Sequence, residues 1–250
     1  MSLDERIQYL EMKERHHKKL RPWYRKKWGM ILVGVGLLAL AALIAGTIYF
    51  IQQVKSYQRE KTLAFEAGEI QKITAAIDGR GESFSLGPDD AKAQIVVFSD
   101  FACPFCKEAS PMMRDLSLKY GEGVRFIFRN YPLHDNSVSL ALAANCAGDQ
   151  NRFWEMHDKI FERQDQYSQL DDESVKQPMK DLAKEMGLNT VDFDSCLDSK
   201  KYLHRLNDDF ADAELLGLSG TPTWFINHYK VTGMYPQANF ESVIEGLIAQ

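Results

Sequence analysis

The apolar positions change their spacing along the chain, and the changes mark its elements. Met30 to Ile51 holds no charged side chain, and a helix of that length, at about 1.5 Å per residue, crosses a hydrocarbon core about 30 Å thick. From residue 52 to about 77 the apolar residues Val54, Tyr57, Leu63, Ile70, Ile73 and Ile77 recur at roughly helical spacing. Lys61 and Glu66 fall where a coiled-coil seam needs apolar residues, and Gly68 interrupts the helix, so this stretch predicts a stalk rather than an oligomerisation coil. Two turn clusters, Gly79-Arg80-Gly81 and Gly87-Pro88-Asp89-Asp90, then bracket a short extended piece.

Beyond residue 93 the spacing tightens. Gln94 to Asp100 is a short apolar run rich in β-branched residues, Val124 to Asn130 alternates with period two, and both predict strands. Lys107 to Tyr120 between them is helical in spacing and stopped by Gly121 and Gly123, which makes a β-α-β unit. From Asn136 to about Asp209 the spacing is helical almost throughout, the pattern of a helical subdomain inserted between two halves of a sheet. Thr223 to Asn227 and Lys230 to Thr232 predict the last two strands, with His228-Tyr229 as their turn, and Asn239 to Ala249 a closing helix.

Charge adds topology to this picture. Residues 1–28 carry nine Lys or Arg against four Asp or Glu, a net of +5, which leaves −10 on the rest of a chain whose formal charge is −5. An acidic folded part without a basic stripe excludes nucleic acid as a partner. The basic cluster before the apolar run keeps the N-terminus in the cytoplasm, and Trp23, Tyr24, Trp28, Tyr49 and Phe50 stand where aromatic belts sit. The expected organisation is a basic cytoplasmic segment (1–29), a transmembrane helix through the lipid bilayer (30–51), a stalk or linker (52–82) and an exported domain (83–250) with its helical insertion at about 136–215. A cleaved signal peptide is the alternative; the length of the apolar run and the acids before it favour an uncleaved anchor.

The candidate chemistry lies at the end of the first long strand, in Phe101-Ala-Cys-Pro-Phe-Cys106. Two thiols separated by two residues at a helix N-terminus form a redox dithiol: partial positive charge and free N–H groups favour the first thiolate. Cys103 is the expected nucleophile and Cys106 the resolving thiol. Four sequence features follow in order: Phe98-Ser-Asp-Phe-Ala-Cys-Pro-Phe-Cys106, Tyr131-Pro-Leu-His134, Phe153-Trp-Glu-Met-His157 and Gly220-Thr-Pro-Thr-Trp-Phe-Ile-Asn227. Together they resemble the DsbA-like thiol:disulfide oxidoreductases of the thioredoxin superfamily, over about residues 84 to 249.

That resemblance implies an α/β thioredoxin fold with an inserted helical subdomain, here preceded by one transmembrane helix. It implies a cis Thr221–Pro222 bond opposite the dithiol, with Pro104, Phe105, Thr221 and Pro222 supporting the site. Phe105 stands where the strong oxidants of the family have histidine, and Val97 where they have a buried glutamate. Cys146 and Cys196 are implied as a structural disulfide, since some relatives carry a second pair in the insertion; two buried free thiols, or zinc on all four cysteines, are the alternatives. No metal and no cofactor beyond the Cys103–Cys106 disulfide are expected. His134, His157, His204 and His228 lack paired spacing and read as surface or core residues, His134 being nearest the active-site face. Phe153, Trp154 and Phe161 read as subdomain core.

The function expected is a single-pass protein of the bacterial inner membrane with a periplasmic or otherwise extracytoplasmic catalytic domain. It exchanges disulfides with cysteine pairs of exported proteins and is reset by a membrane redox partner. Two other readings compete: an isomerase or reductase kept reduced by a membrane electron donor, and a tethered peptide-binding chaperone module.

Overall fold

The computed structural model describes residues 2–19, 26–78, 83–227 and 229–249. Trp23, Tyr24, the Gly79-Arg80-Gly81 turn and His228 lie outside the described residues. The chain divides into two compact units, residues 1–67 and 68–250.

The first unit is helical. Helix α1 spans Leu3–Lys19, and α2 runs from Lys27 to Asp78, beyond the unit's end. Within Lys27–Ala64 lies the one stretch among the described residues long and apolar enough to cross a membrane, and its Leu, Ile and Val side chains are exposed. Gly68 does not interrupt α2 as the sequence predicts. A single helical glycine costs only about 1 kcal/mol relative to alanine, and here it is flanked by long helical runs whose far end is packed.

That far end belongs to the second unit. Ala76 and Ile77 are buried and Ile73 packs beside them, so the last turns of α2 cover part of a sheet instead of forming a free stalk up to residue 82. The sheet has five strands: β1 (Phe84–Leu86), β2 (Ala93–Ser99), β3 (Val124–Asn130), β4 (Thr223–Ile226) and β5 (Tyr229–Thr232). Their order is β1-β3-β2-β4-β5, with β2 and β3 parallel and the other pairs antiparallel. Helix α3 (Pro104–Tyr120) crosses between β2 and β3. The insertion comprises α4 (Ser137–Gly148), α5 (Phe153–Glu162), α6 (Gln164–Tyr167), α7 (Lys176–Glu185), α8 (Thr190–Asp198) and α9 (Leu203–Leu215), and α10 (Gln237–Ile248) closes the domain.

Side-chain alternation along β2 and β3 builds two cores. Ile95, Val97, Phe126 and Phe128 face the larger one, with α3, α10 and most of the insertion; Val96, Phe98 and Ile127 face the smaller one, with Ala213, Phe225 and Ile77. Burial on both faces explains why these strands read as almost continuous apolar runs. Period two would place Arg129 on the same face as Ile127, and there it is 1% exposed. Its guanidinium pairs with Asp209 (2.5 Å) and Asp212 (2.7 Å) of α9 and donates to the carbonyls of Ala76 and Ile77 at the end of α2. Such a buried cation persists because each partner satisfies a donor that water no longer reaches.

Candidate active site

Strand β2 ends against the N-terminus of α3, and this junction positions the dithiol. Cys103 is the N-cap residue with extended backbone, and Pro104 takes the first helical position, where a missing N–H is harmless. The Cys103 carbonyl accepts from the N–H groups of Cys106 and Lys107, both at 3.1 Å. A further donor comes from the insertion: the Gln164 side-chain amide donates to the carbonyls of Phe101 (2.8 Å) and Cys103 (2.9 Å). Cys103 is 4% exposed and Cys106 1%, whereas Phe105 between them is 57% exposed and forms an apolar shoulder of the site.

Opposite the cysteines, the Thr221–Pro222 bond is cis, and the Cys103 thiol lies 3.4 Å from the Thr221 carbonyl. The Gly233 N–H donates to the Pro222 carbonyl at 2.7 Å, tying this loop to the turn after β5. Thus the structure brings together Cys103, Pro104, Phe105, Cys106, Thr221 and Pro222. Cys146 and Cys196 are not part of this group: they form a disulfide between α4 and α8 with a Cα–Cα distance of 5.8 Å. With those two sulfurs bonded to each other, a four-cysteine zinc site is not assembled, and no cluster of three or more His, Cys, Asp or Glu suited to a metal occurs among the described residues.

The two active-site thiols differ sharply. The Cys103 pKa is lowered to about 5, chiefly by a hydrogen bond from the Cys106 thiol, with further help from Thr221 and the N–H groups of Cys106 and Phe105, against an opposing cost of burial. The Cys106 pKa moves far upward, first through burial and then through its role as donor to Cys103. One sulfur is therefore a thiolate at neutral pH, and the other holds the proton that stabilises it.

Asp100 organises the loops around this pair. Its carboxylate is buried and accepts from the Ala102 N–H (2.8 Å), the Ser137 hydroxyl (2.5 Å), the Leu133 N–H (2.8 Å) and His134 Nδ1 (2.6 Å), while the Asp100 N–H approaches Cys106 Sγ at 3.5 Å. Burial pushes the His134 imidazole down, but the hydrogen bond and charge of Asp100 outweigh it, and the net shift is upward. A polar cavity of about 530 Å³ opens beside the turn, lined by Ala102, Leu133, His134, Gln164, Tyr167 and Asp171 among others. Phe153 and Phe161 are core residues of the insertion, and Trp154 packs against them half-buried. Gln164 and Ser137 carry no signal in the sequence, because their role depends on where the insertion folds back.

A family model described as thioredoxin matches residues 80–246. The Na(+)/H(+) antiporter NhaA 1 of Mycolicibacterium vanbaalenii is 32% identical over 164 residues, 64% of this chain and 25% of that protein. The chain thus spans about a quarter of the length of the curated relatives it matches. The thiol-disulfide exchange protein alpha-DsbA2 of Wolbachia pipientis superimposes with a TM-score of 0.61 at 19% identity, over 72% of this chain and 94% of that one. BdbD of Bacillus subtilis in its oxidised form gives 0.59 at 25% identity, over 66% and 92%.

Proposed function

The chain belongs to the thioredoxin family, with the fold and dithiol of its DsbA-like thiol:disulfide oxidoreductases, and we propose that it works as a membrane-anchored, extracytoplasmic donor of disulfides. The observation that carries the direction is the pKa contrast within the dithiol. A Cys103 thiolate stabilised to a pKa of about 5 stabilises the reduced protein, which makes the Cys103–Cys106 disulfide a ready oxidant and Cys103 a good leaving group.

In the proposed cycle a substrate thiolate attacks Cys103 Sγ, the Cys103–Cys106 bond breaks, and Cys106 leaves as a thiolate that takes up a proton. A second substrate thiolate then attacks the substrate sulfur of the mixed disulfide, and Cys103 leaves as its stabilised thiolate. The substrate pair loses two electrons and the protein dithiol gains them. No cofactor beyond the dithiol is needed for these steps, and a membrane redox partner would withdraw the electrons. The Thr221 carbonyl and the cavity beside Ala102 and His134 offer an extended substrate chain a polar edge and a recess.

Residues 30–51 serve in this reading as the anchor in a bacterial inner membrane, with the basic N-terminus in the cytoplasm and exported cysteine pairs as substrates. Antiport is not part of the proposal, since the match covers only a quarter of the antiporter. Cys106→Ala tests the exchange reading: mixed disulfides between Cys103 and exported proteins should accumulate, and their absence would remove the catalytic role in favour of a binding module.

A further inference from the structure

Resolution of a mixed disulfide places a demand on Cys106 that the resting dithiol does not. In the free dithiol the Cys106 proton is shared with the Cys103 thiolate. Once Cys103 is joined to another sulfur, that acceptor is gone, and Cys106 must shed its proton before it can attack. The thiol is 1% exposed, so bulk water does not take the proton readily. Asp100 is the nearest buried carboxylate on this loop, but its two oxygens already accept four hydrogen bonds, which fills their lone pairs.

Behind Cys106 lies a cavity of about 10 Å³, lined by Ser99, Cys106, Ser110, Phe128, His157 and Pro222 among others. Its size is near the minimum for a single water. Among the described residues that line it, His157 is the one Brønsted base. The imidazole comes from α5, is buried, and stands within an aromatic cage of Phe101, Phe128, Trp154 and Phe161 at ring distances of 5.0–5.6 Å. Its Nδ1 lies 2.8 Å from Asp158 Oδ1, and the other Asp158 oxygen pairs with Arg114 Nε at 3.1 Å. A carboxylate accepts, so Nδ1 carries the hydrogen and Nε2 keeps a lone pair.

We propose that His157 is the proton acceptor for Cys106 through this cavity. The inference rests on the exchange reading of Cys103 and Cys106. The step balances: His157 Nε2 takes the Cys106 proton, the Cys106 sulfur attacks Cys103 Sγ, the bond from Cys103 to the outer sulfur breaks, and that sulfur leaves with the electron pair. The imidazolium then loses its Nδ1 proton to solvent by way of Asp158, whose side chain reaches the surface. When the protein donates its disulfide the same path runs in reverse, and the imidazolium protonates the departing Cys106. Burial lowers the His157 pKa, Arg114 adds to that, and Asp158 opposes it, so the ring is neutral and able to accept at neutral pH. The charged or titratable groups facing it are Asp158 on its own helix and Arg114 and Cys106 on α3.

The test uses the reduced full chain in detergent, mixed rapidly with glutathione disulfide. Capping of Cys103 and the subsequent release of glutathione by Cys106 are followed separately from pH 5 to 9. His157→Gln should slow the release by about 10²-fold at pH 7, the scale of general acid–base catalysis. It should leave capping within about twofold, since that step needs only the Cys103 thiolate. The release in the variant should rise about tenfold per pH unit, as for a thiol that depends on hydroxide. Phe193→Leu, which disturbs the same core away from this cavity, should keep the wild-type pH profile. An unchanged profile in His157→Gln overturns the proposal. Where that variant does not fold, the wild type alone decides: release that levels off above a midpoint below 6.5 supports His157, and release that climbs throughout the range overturns it. If glutathione never caps Cys103 in the wild type, the exchange reading fails and not the assignment of His157.

Discussion

The turn at Cys103 and the clamp between α4 and α8 each hold two cysteines, and their surroundings assign them opposite duties. Cys103 sits at a helix N-terminus, where the N–H groups of Phe105 and Cys106 point toward its sulfur and favour a thiolate. Cys146 and Cys196 lie inside their helices, where the backbone N–H groups are committed to the helix itself and no donor is left for a sulfur anion. Both sulfurs of that pair are buried, and they are bonded to one another. Sequence separation completes the contrast: two residues between the first pair limit the loop to one turn, whereas a separation of 50 lets the second pair fasten distant helices.

The sharpest way to break the contrast is to disable each pair in turn. Cys103→Ser should reduce disulfide exchange with a dithiol peptide to the uncatalysed rate. The double substitution Cys146→Ser, Cys196→Ser should leave the exchange rate of folded protein unchanged but lower unfolding stability by about 4 kcal/mol on the chain-entropy model for a loop of this length. Denaturant titration together with an activity assay separates the two outcomes; lost exchange in a folded double variant would mean that the clamp also shapes the site.

A smaller effect is expected from pH. Iodoacetamide should alkylate Cys103 at a constant rate above its pKa of about 5 and about tenfold more slowly per pH unit below it. The same shift has a stability consequence in the reduced protein. The unfolded chain holds the Cys103 proton up to the ordinary thiol value of 9.0 while the folded chain has released it above about 5, so this contribution to stability is absent below about 5, grows with pH across that window and is complete above 9.0. Cys106, whose pKa is raised, acts in the opposite sense above 9.0, where the unfolded thiol ionises and the folded one does not. Smallest of all should be Phe105→His, which adds a donor near Cys103 and should move the alkylation midpoint downward by less than about one unit. An upward movement would show that the exposed ring now contributes more to the thiolate than a histidine can.

How far the sequence carries the reader depends on how local each feature is. The β-α-β unit, the helical insertion and the cysteine turn are legible because period, glycine stops and a four-residue motif encode them within short windows. Two strands of the sheet, β4 and β5, are equally plain, although the antiparallel place of β4 beside β2, with β5 outside it, is set by the return of the chain after α9. Other features arise only when distant segments meet. Arg129 reads as a polar position on a strand until Asp209 and Asp212 arrive from α9, some 80 residues on. Gln164 reads as a helix-end residue until its amide reaches the Phe101 and Cys103 carbonyls. The docked end of α2 reads as stalk in the sequence because Ile73 and Ile77 have helical spacing, which reveals an apolar face without revealing what covers it. His157 belongs here too: its spacing marks a core position, and that it shares a cavity with Cys106 emerges only when α5 packs against α3.

A dithiol whose reduced state is stabilised passes its disulfide on. The most direct measurement is the redox state of Cys103 and Cys106 in living cells, by acid quenching and alkylation with a reagent that adds mass to free thiols. A pair found mostly oxidised at steady state, with Cys106→Ala trapped on exported proteins, is the predicted result. A pair found mostly reduced would contradict disulfide donation and assign the same site to reduction or isomerisation.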